Sequence, residues 1–433
     1  MYSYIGVHAP NTPIHHYTNT QLMATVNIVR KKTNRVQTGI KFRFDYWMLL
    51  AVGGLIVIGM LMVYSTTFDY GLVLKDEATY YFERQFWALG LGLLAMTIIM
   101  QFDYHFFRRF SLLIMAITLI GLLVVLFLGQ DILGAQRGFF EGSYQPSEVA
   151  KLATILYISH WLSSKGERIK RLSYGLIPFS IIVGTVCALI VRQPDLSTAG
   201  LIAMVSFTVF FVAGADWRQF AIAGTAAGGI FLFLITALPH AAARVDAYTA
   251  ALRDPNQASW HVQQSLIALG RGGLTGVGLG ESTQKFGPLP FAHTDGVFAI
   301  LGEEMGLLGG MLVIGLFAML MWRGFLAAKN ARDTYGSLLA VGITCWIGYQ
   351  TLINIAVITA VIPFTGIPLP FLSYGGSSLL LSLAAMGILL NVSRDAAMTK
   401  RPQPTRRPSP NQGSPPHGRP VRETPVRSRP RRS

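Results

Sequence analysis

The chain has 433 residues, of which 13% are charged and 52% hydrophobic, whereas a soluble protein of that length carries about a quarter charged residues. The apolar residues gather in blocks long enough to cross a hydrocarbon core, which takes about 20 residues per helix, so a soluble multidomain reading is excluded. The formal charge of +15 lies mainly in the tails and alternate loops and does not mark a nucleic-acid partner, while Cys187 and Cys345, each inside an apolar run, make neither a disulfide framework nor a metal-binding spacing.

Residues 1–44 form a basic tail whose start lacks the apolar core and cleavage pattern of a secretory signal. The first membrane helix must therefore direct insertion. Apolar runs interrupted by charge and by Pro/Gly clusters predict helices near 45–65, 85–101, 110–129, 147–163, 175–191, 197–214, 218–238, 296–322, 337–362 and 374–393. The fold class is thus an all-α polytopic membrane protein with about ten transmembrane helices, both termini cytoplasmic and a membrane domain over 45–394. Orientation follows from Lys and Arg near helix ends, which stay in the cytoplasm. Arg30, Lys31, Lys32, Arg35, Lys41 and Arg43 precede the first helix, and Arg108, Arg109, Lys165, Arg168, Lys170, Arg171, Arg218, Arg323, Lys329 and Arg332 fall on the same side by alternation. Arg137, Arg192, Arg244, Arg253, Arg271 and Lys285 fall outside, where cations need a local reason. Between the seventh and eighth helices runs the large extracytoplasmic loop, 239–294, whose size, glycines and Trp260 predict a folded cap. Residues 395–433, rich in Pro, Arg and Ser, are predicted to be a disordered cytoplasmic tail, either attracted to anionic head groups or an acidic partner or serving as a solvated topology anchor.

Several external clusters could carry chemistry. The loop ends in Gln284-Lys285 and, further on, Leu289-Pro290-Phe291-Ala292-His293-Thr294-Asp295, which sets Asp295 at the water-hydrocarbon boundary of a helix N-terminus. Asp295 can be a general base there if nearby desolvation raises its proton affinity, or a helix cap. Glu303 and Glu304 follow about 12–14 Å deeper at helical rise, where carboxylates are expensive and mark a functional region by default. Gly302, Gly306 and Gly310 repeat at every fourth position and favour close helix packing. Between the third and fourth helices, Arg137 and Lys151 could hold a pyrophosphate while Glu148 positions Lys151; alternatively Glu148 and Lys151, three residues apart, neutralise each other. Gln193 and Asp195 lie in Arg192-Gln193-Pro194-Asp195, where Asp195 could cap the sixth helix or act directly. Pro363 to Ser378, with three prolines and three glycines, cannot be a regular helix and reads as a re-entrant or rim segment containing Ser377. No zinc-protease pattern, Walker loop, dinucleotide fingerprint or nucleophile elbow occurs, so activation must arrive with the substrate.

Gln145-Pro146-Ser147-Glu148, Gln193-Pro194-Asp195, Leu289-Pro290 with His293-Thr294-Asp295, Gly302-Glu303-Glu304 and Pro368-Leu369-Pro370-Phe371 through Ser378 resemble, in order, the signatures of the shape, elongation, division and sporulation (SEDS) family. The resemblance covers 45 to about 394, and Gln284-Lys285 with Gly302-Glu303-Glu304 is more similar to the division branch than to the elongation branch. Two departures are Phe291, where a Glu is common before His-Thr-Asp, and Gly138, where an aromatic commonly follows the arginine. The resemblance implies a peptidoglycan glycosyltransferase that polymerises lipid II at the outer face of the cytoplasmic membrane during septal wall synthesis. Undecaprenyl pyrophosphate is the leaving group. Asp295 would then be catalytic, and Arg137, Glu148, Lys151, Gln193, Asp195, Lys285, His293, Glu303, Glu304 and Ser377 would contact substrate. A divalent cation, magnesium or manganese, could assist the pyrophosphate, but no dedicated cage is visible. The implied partners are a class B penicillin-binding protein transpeptidase, other divisome proteins and membrane lipids. A lipid II flippase, the elongation polymerase and a scaffold that recruits a transpeptidase remain alternatives.

Overall fold

The computed structural model describes residues 45–128, 130–132, 135–138, 145–254 and 258–399; the predicted tail 1–44 and all but 395–399 of the predicted tail 395–433 lie outside them, and 395–399 continue the last helix. The architecture is helical. The helices are α1 Tyr46–Lys75, α2 Tyr80–Gln101, α3 His105–Leu128, α4 Pro146–Lys165, α5 Leu176–Arg192, α6 Leu196–Val212, α7 Trp217–Ala237, α8 Pro239–Arg253, α9 Trp260–Gly272, α10 Val297–Asn330, α11 Thr334–Ile358 and α12 Gly376–Thr399. A small antiparallel hairpin, β1 Gln130–Ile132 and β2 Ala135–Gly138, joins α3 to α4.

α1, α3, α7, α10, α11 and Gly376–Arg394 of α12 are long and apolar enough to cross a membrane, and α5 and α6 are shorter apolar helices. α1 runs to Lys75, nearly three helical turns beyond the predicted end at 65, because Asp76 supplies a left-handed cap whose N–H bonds to the Gly71 carbonyl. Many large apolar side chains face outward, among them Trp87, Phe127, Trp217 and Phe233, which suits a lipid-facing surface. Inside, α11 is buried on most of its faces and packs against α10, α4 and α6. On the predicted cytoplasmic side, Asp45 caps α1 and accepts a bidentate pair from Arg323, at 3.0 Å to Oδ1 and 2.6 Å to Oδ2.

The 239–294 segment is a folded cap holding α8, α9 and a 3-10 turn at Gln284–Phe286. In the glycine repeat of α10, Gly302 and Gly306 leave no room for a Cβ beside Leu269 and the cap backbone, and Gly306 in addition breaks the helix. Gly306 has φ 65° and ψ −166°, a break inside the helix, in a region of backbone space that is essentially restricted to glycine. The cap fills the break. Val277 and Gly278 donate to the carbonyls of Glu303 and Glu304, while Leu307 and Leu308 donate to the carbonyls of Gly273 and Leu274. Backbone groups freed at membrane depth are thereby paired within the protein, as they must be.

Candidate active site

Residues 359–375, between α11 and α12, contain no helix, so their polar backbone needs side-chain partners. Buried amides provide them. Gln350 donates to the Pro368 carbonyl at 2.8 Å, and Asn354 donates to the carbonyls of Ile367 at 2.8 Å and Asp295 at 2.9 Å. Ser373 donates to the Thr294 carbonyl at 2.5 Å and Tyr374 N–H to the His293 carbonyl at 2.8 Å. The rim segment and the turn carrying Asp295 are therefore one hydrogen-bonded unit.

A cavity of about 680 Å³ opens beside this unit, and its lining includes Glu148, Asp195, Arg244, Asp295 and Ser377. Asp295 is 7% exposed. The capping alternative does not describe it: Gly296 occupies the cap position of α10, and the Asp295 carboxylate accepts from its neighbour Thr294 Oγ1 at 2.8 Å. Burial pushes the Asp295 carboxyl above the ordinary aspartate range, with His261, Thr294 and Arg244 pulling the other way. Such a carboxylate is a stronger base than a solvated one. Gly366, at φ 73°, holds the opposite wall where an added Cβ would lie 3.6 Å from Asp295 Oδ2, so a residue without a side chain keeps that approach open.

Asp195 does cap a helix, since its Oδ1 accepts from Thr198 N at 3.1 Å at the start of α6, and it lines the cavity as well. Glu148 also borders the cavity. Its Oε1 accepts from Lys151 Nζ at 2.7 Å, while its buried Oε2 has no hydrogen-bond partner among the described residues. Lys151 itself stands behind the wall, 3% exposed, bonded to Gln350 Oε1 at 3.3 Å and 5.2 Å from the Trp346 ring. Arg137 is on β2, and its side chain lies outside the described residues.

The remaining predicted residues do not line this cavity. Gln193 is buried and donates to the Leu122 carbonyl at 2.8 Å, tying α5 to α3. His293 packs on Tyr70, with ring centroids 4.7 Å apart, and burial pulls its imidazole down to about 4. Lys285, Glu303 and Glu304 form a separate buried cluster under the cap. Lys285 Nζ lies 3.0 Å from Glu304 Oε1, which also accepts from Ser65 at 2.6 Å. Glu303 accepts from Ser282 at 2.5 Å and from Thr283 at 3.3 Å, with Arg271 at 3.8 Å. The depth argument identified a polar region correctly, but its charges are balanced internally and fasten the cap to the broken helix.

Two residues that the sequence reading did not assign to the site join it. Arg244 on α8 lines the cavity, donates to the Thr365 carbonyl at 3.4 Å and lies 5.4 Å from the Phe364 ring. Its signal was present as a cation on the external side. His261 on α9 is 7% exposed, its ring centroid 4.4 Å from that of Phe364, and it interacts electrostatically with Asp295. Its proximity to Asp295 depends on the cap's fold and leaves no sequence pattern. Among the described residues no three His, Cys, Asp or Glu side chains group as metal ligands.

Comparison with known proteins follows the same lines. Residues 46–398 match the family described as cell cycle protein, FtsW/RodA/SpoVE. The chain is 42% identical to stage V sporulation protein E of Bacillus subtilis over 344 residues, covering 78% of this chain and 94% of the relative. It is 36% identical over 357 residues to the probable peptidoglycan glycosyltransferase FtsW of Trichlorobacter lovleyi, covering 81% and 93%. In structure it is similar to a chain from work on the structural coordination of polymerization and crosslinking by a peptidoglycan synthase complex, with TM-score 0.66, 28% identity and coverage of 82% and 98%. It is also similar to the rod shape determining protein RodA of Thermus thermophilus, with TM-score 0.60, 26% identity and the same coverage of 82% and 98%. With the motifs in order, the membrane helices in place and the family match spanning the whole helical domain, this chain belongs to the FtsW/RodA/SpoVE cell cycle protein family.

Proposed function

We propose that the chain is a peptidoglycan glycosyltransferase that joins lipid II units at the outer face of the cytoplasmic membrane. The observation that carries this reading is a buried, proton-affine carboxylate without a capping role, Asp295, facing a cavity that Arg244 also lines. The names of the FtsW relatives and of the synthase complex support the same activity. In the reaction, Asp295 takes the proton of an acceptor sugar hydroxyl as its oxygen bonds to the anomeric carbon of a second lipid-linked disaccharide. The bond from that carbon to the pyrophosphate breaks, and configuration inverts. Arg244 faces the cavity from α8 and is suited to stabilise the departing charge. Lys151 acts through Glu148 from behind the wall.

The ten helices α1–α7 and α10–α12 are read as crossings, with both termini cytoplasmic and the cap outside. A single-pass class B penicillin-binding protein is the proposed partner, supported by the synthase-complex relative, and the cell membrane at the septum is the proposed location. The 42% identity to stage V sporulation protein E supports a second reading of the cellular stage, sporulation instead of vegetative division, with the same chemistry.

The test is incubation of purified protein with lipid II, with and without a class B partner, and separation of products by size. Glycan chains with release of undecaprenyl pyrophosphate are expected. Translocation of lipid II across vesicles with no chain products would replace this reading by that of a flippase.

A further inference from the structure

Aromatic side chains gather where the outer ends of α1 and α2 meet the segments leading into α10 and α12. The Tyr70 ring lies 5.3 Å from that of Tyr81, which lies 5.1 Å from Tyr80 and 5.6 Å from Tyr374. His293 closes the group, 4.7 Å from Tyr70 and 5.9 Å from Tyr374. The result is a continuous run of rings. It is not a sealed core: Tyr70 is 43% exposed, and Tyr80, Tyr81 and Tyr374 are partly exposed. Two cations flank its outer end, Lys75 at 5.4 Å and Arg84 at 5.6 Å from the Tyr80 ring.

The inner end of the run is Tyr374, which lines the Asp295 cavity together with Gly375, Gly376 and Ser377. Tyr374 N–H bonds to the His293 carbonyl at 2.8 Å, which ties this end of the run to the turn carrying Asp295. An aromatic face carries negative potential and is weakly hydrated, while a phenol keeps a polar tip. The complementary ligand surface is amphipathic, with C–H groups on its face and hydroxyls at its edge. A pyranose ring has that form. An acyl chain has no use for the hydroxyls or for the neighbouring cations, which would suit the carboxylates of a peptide-bearing sugar.

We propose that Tyr70, Tyr80, Tyr81 and Tyr374 form a saccharide subsite adjoining the cavity, which holds the growing glycan between successive additions. This rests on the reading of the chain as a glycan polymerase. A tyrosine belt at the membrane interface, the alternative, requires only exposure at the right depth and no convergence on the cavity wall.

Two measurements test it on the full-length protein. In lipid II polymerisation, Tyr70→Ala and Tyr81→Ala should shorten the product glycans about fivefold relative to the yield of first glycosidic bonds, the order expected for losing one aromatic stacking partner. Tyr81→Phe, which keeps the ring, should restore the length. In saturation-transfer NMR with a soluble N-acetylglucosamine tetramer, the parent protein should transfer magnetisation to the sugar C–H protons, and Tyr70→Ala and Tyr81→Ala should lose that signal. Unchanged glycan length in folded alanine variants, or no transfer to the tetramer from the parent protein, overturns the subsite. If the parent protein makes no polymer yet transfers to the tetramer in a Tyr81-dependent way, the subsite stands and the polymerase reading fails.

Discussion

Replacing Lys151 by methionine strips the positive charge from a buried ion pair inside α4. Lys151 and Glu148 side chains are 3% and 8% exposed, the 2.7 Å contact between them bonds Glu148 Oε1, and among the described residues Oε2 has no partner. Breaking a buried pair from one side costs about 3–5 kcal/mol, because the surviving charge stays buried without compensation. Removing both charges with Lys151→Met and Glu148→Gln should cost less than either charge left alone, about 1–2 kcal/mol for the lost hydrogen bonds. The assay is a double-mutant cycle of reversible unfolding in mixed micelles. We expect the two single costs to exceed the double by well over 2 kcal/mol. Additivity to within about 0.5 kcal/mol would refute the reasoning.

Activity should also report on Asp295. As the base must be unprotonated, kcat/KM should fall as pH drops through a pKa lying above the ordinary aspartate value of 3.8, because burial raises it. Arg244→Met, which removes a charge that lowers that pKa, should shift the acid limb to higher pH; a limb that does not move would show that Arg244 does not act on Asp295. Gly306→Ala should destabilise the fold by about 1–3 kcal/mol, whereas Gly310→Ala, whose Cβ would meet Phe298 at 3.7 Å, should be milder; equal midpoints in thermal unfolding would mean that the helix break at Gly306 is not required. Lys329→Cys should react with impermeant maleimide only from the cytoplasm and Glu281→Cys only from outside, in a background lacking Cys187 and Cys345; reaction of Glu281→Cys from the cytoplasm would invert the topology.

Membrane helices were readable because a 20-residue apolar block has few alternatives in lipid. The irregular segment before α12 was equally plain, since its prolines and glycines cannot sustain a helical ladder. Gly306 packs closely against the cap backbone as its spacing predicts, but the helix break there is not legible, because it depends on whether residues 273–278 supply the missing backbone partners. Glu303 and Glu304 were flagged by the cost of charge at depth, which holds whether the charge is catalytic or fastened by Lys285, Ser282 and Ser65. Asp295 and Asp195 looked alike as caps in the sequence. Only the position of the first helical turn separates them, with Asp195 bonded to Thr198 N and Gly296 taking the corresponding place beside Asp295. The Tyr70, Tyr81 and Tyr374 contacts bring together residues about 300 positions apart, which no local pattern encodes.

The central claim is that Asp295 removes the acceptor proton. Its most direct test is lipid II polymerisation by purified Asp295→Asn protein, compared with the parent for turnover and for lipid II binding. The amide keeps the side chain's shape and its contact with Thr294 but cannot accept the proton, so turnover should fall about a hundred- to ten-thousand-fold, with binding near the parent value. Folded Asp295→Asn protein that makes glycan at near the parent rate would contradict the account.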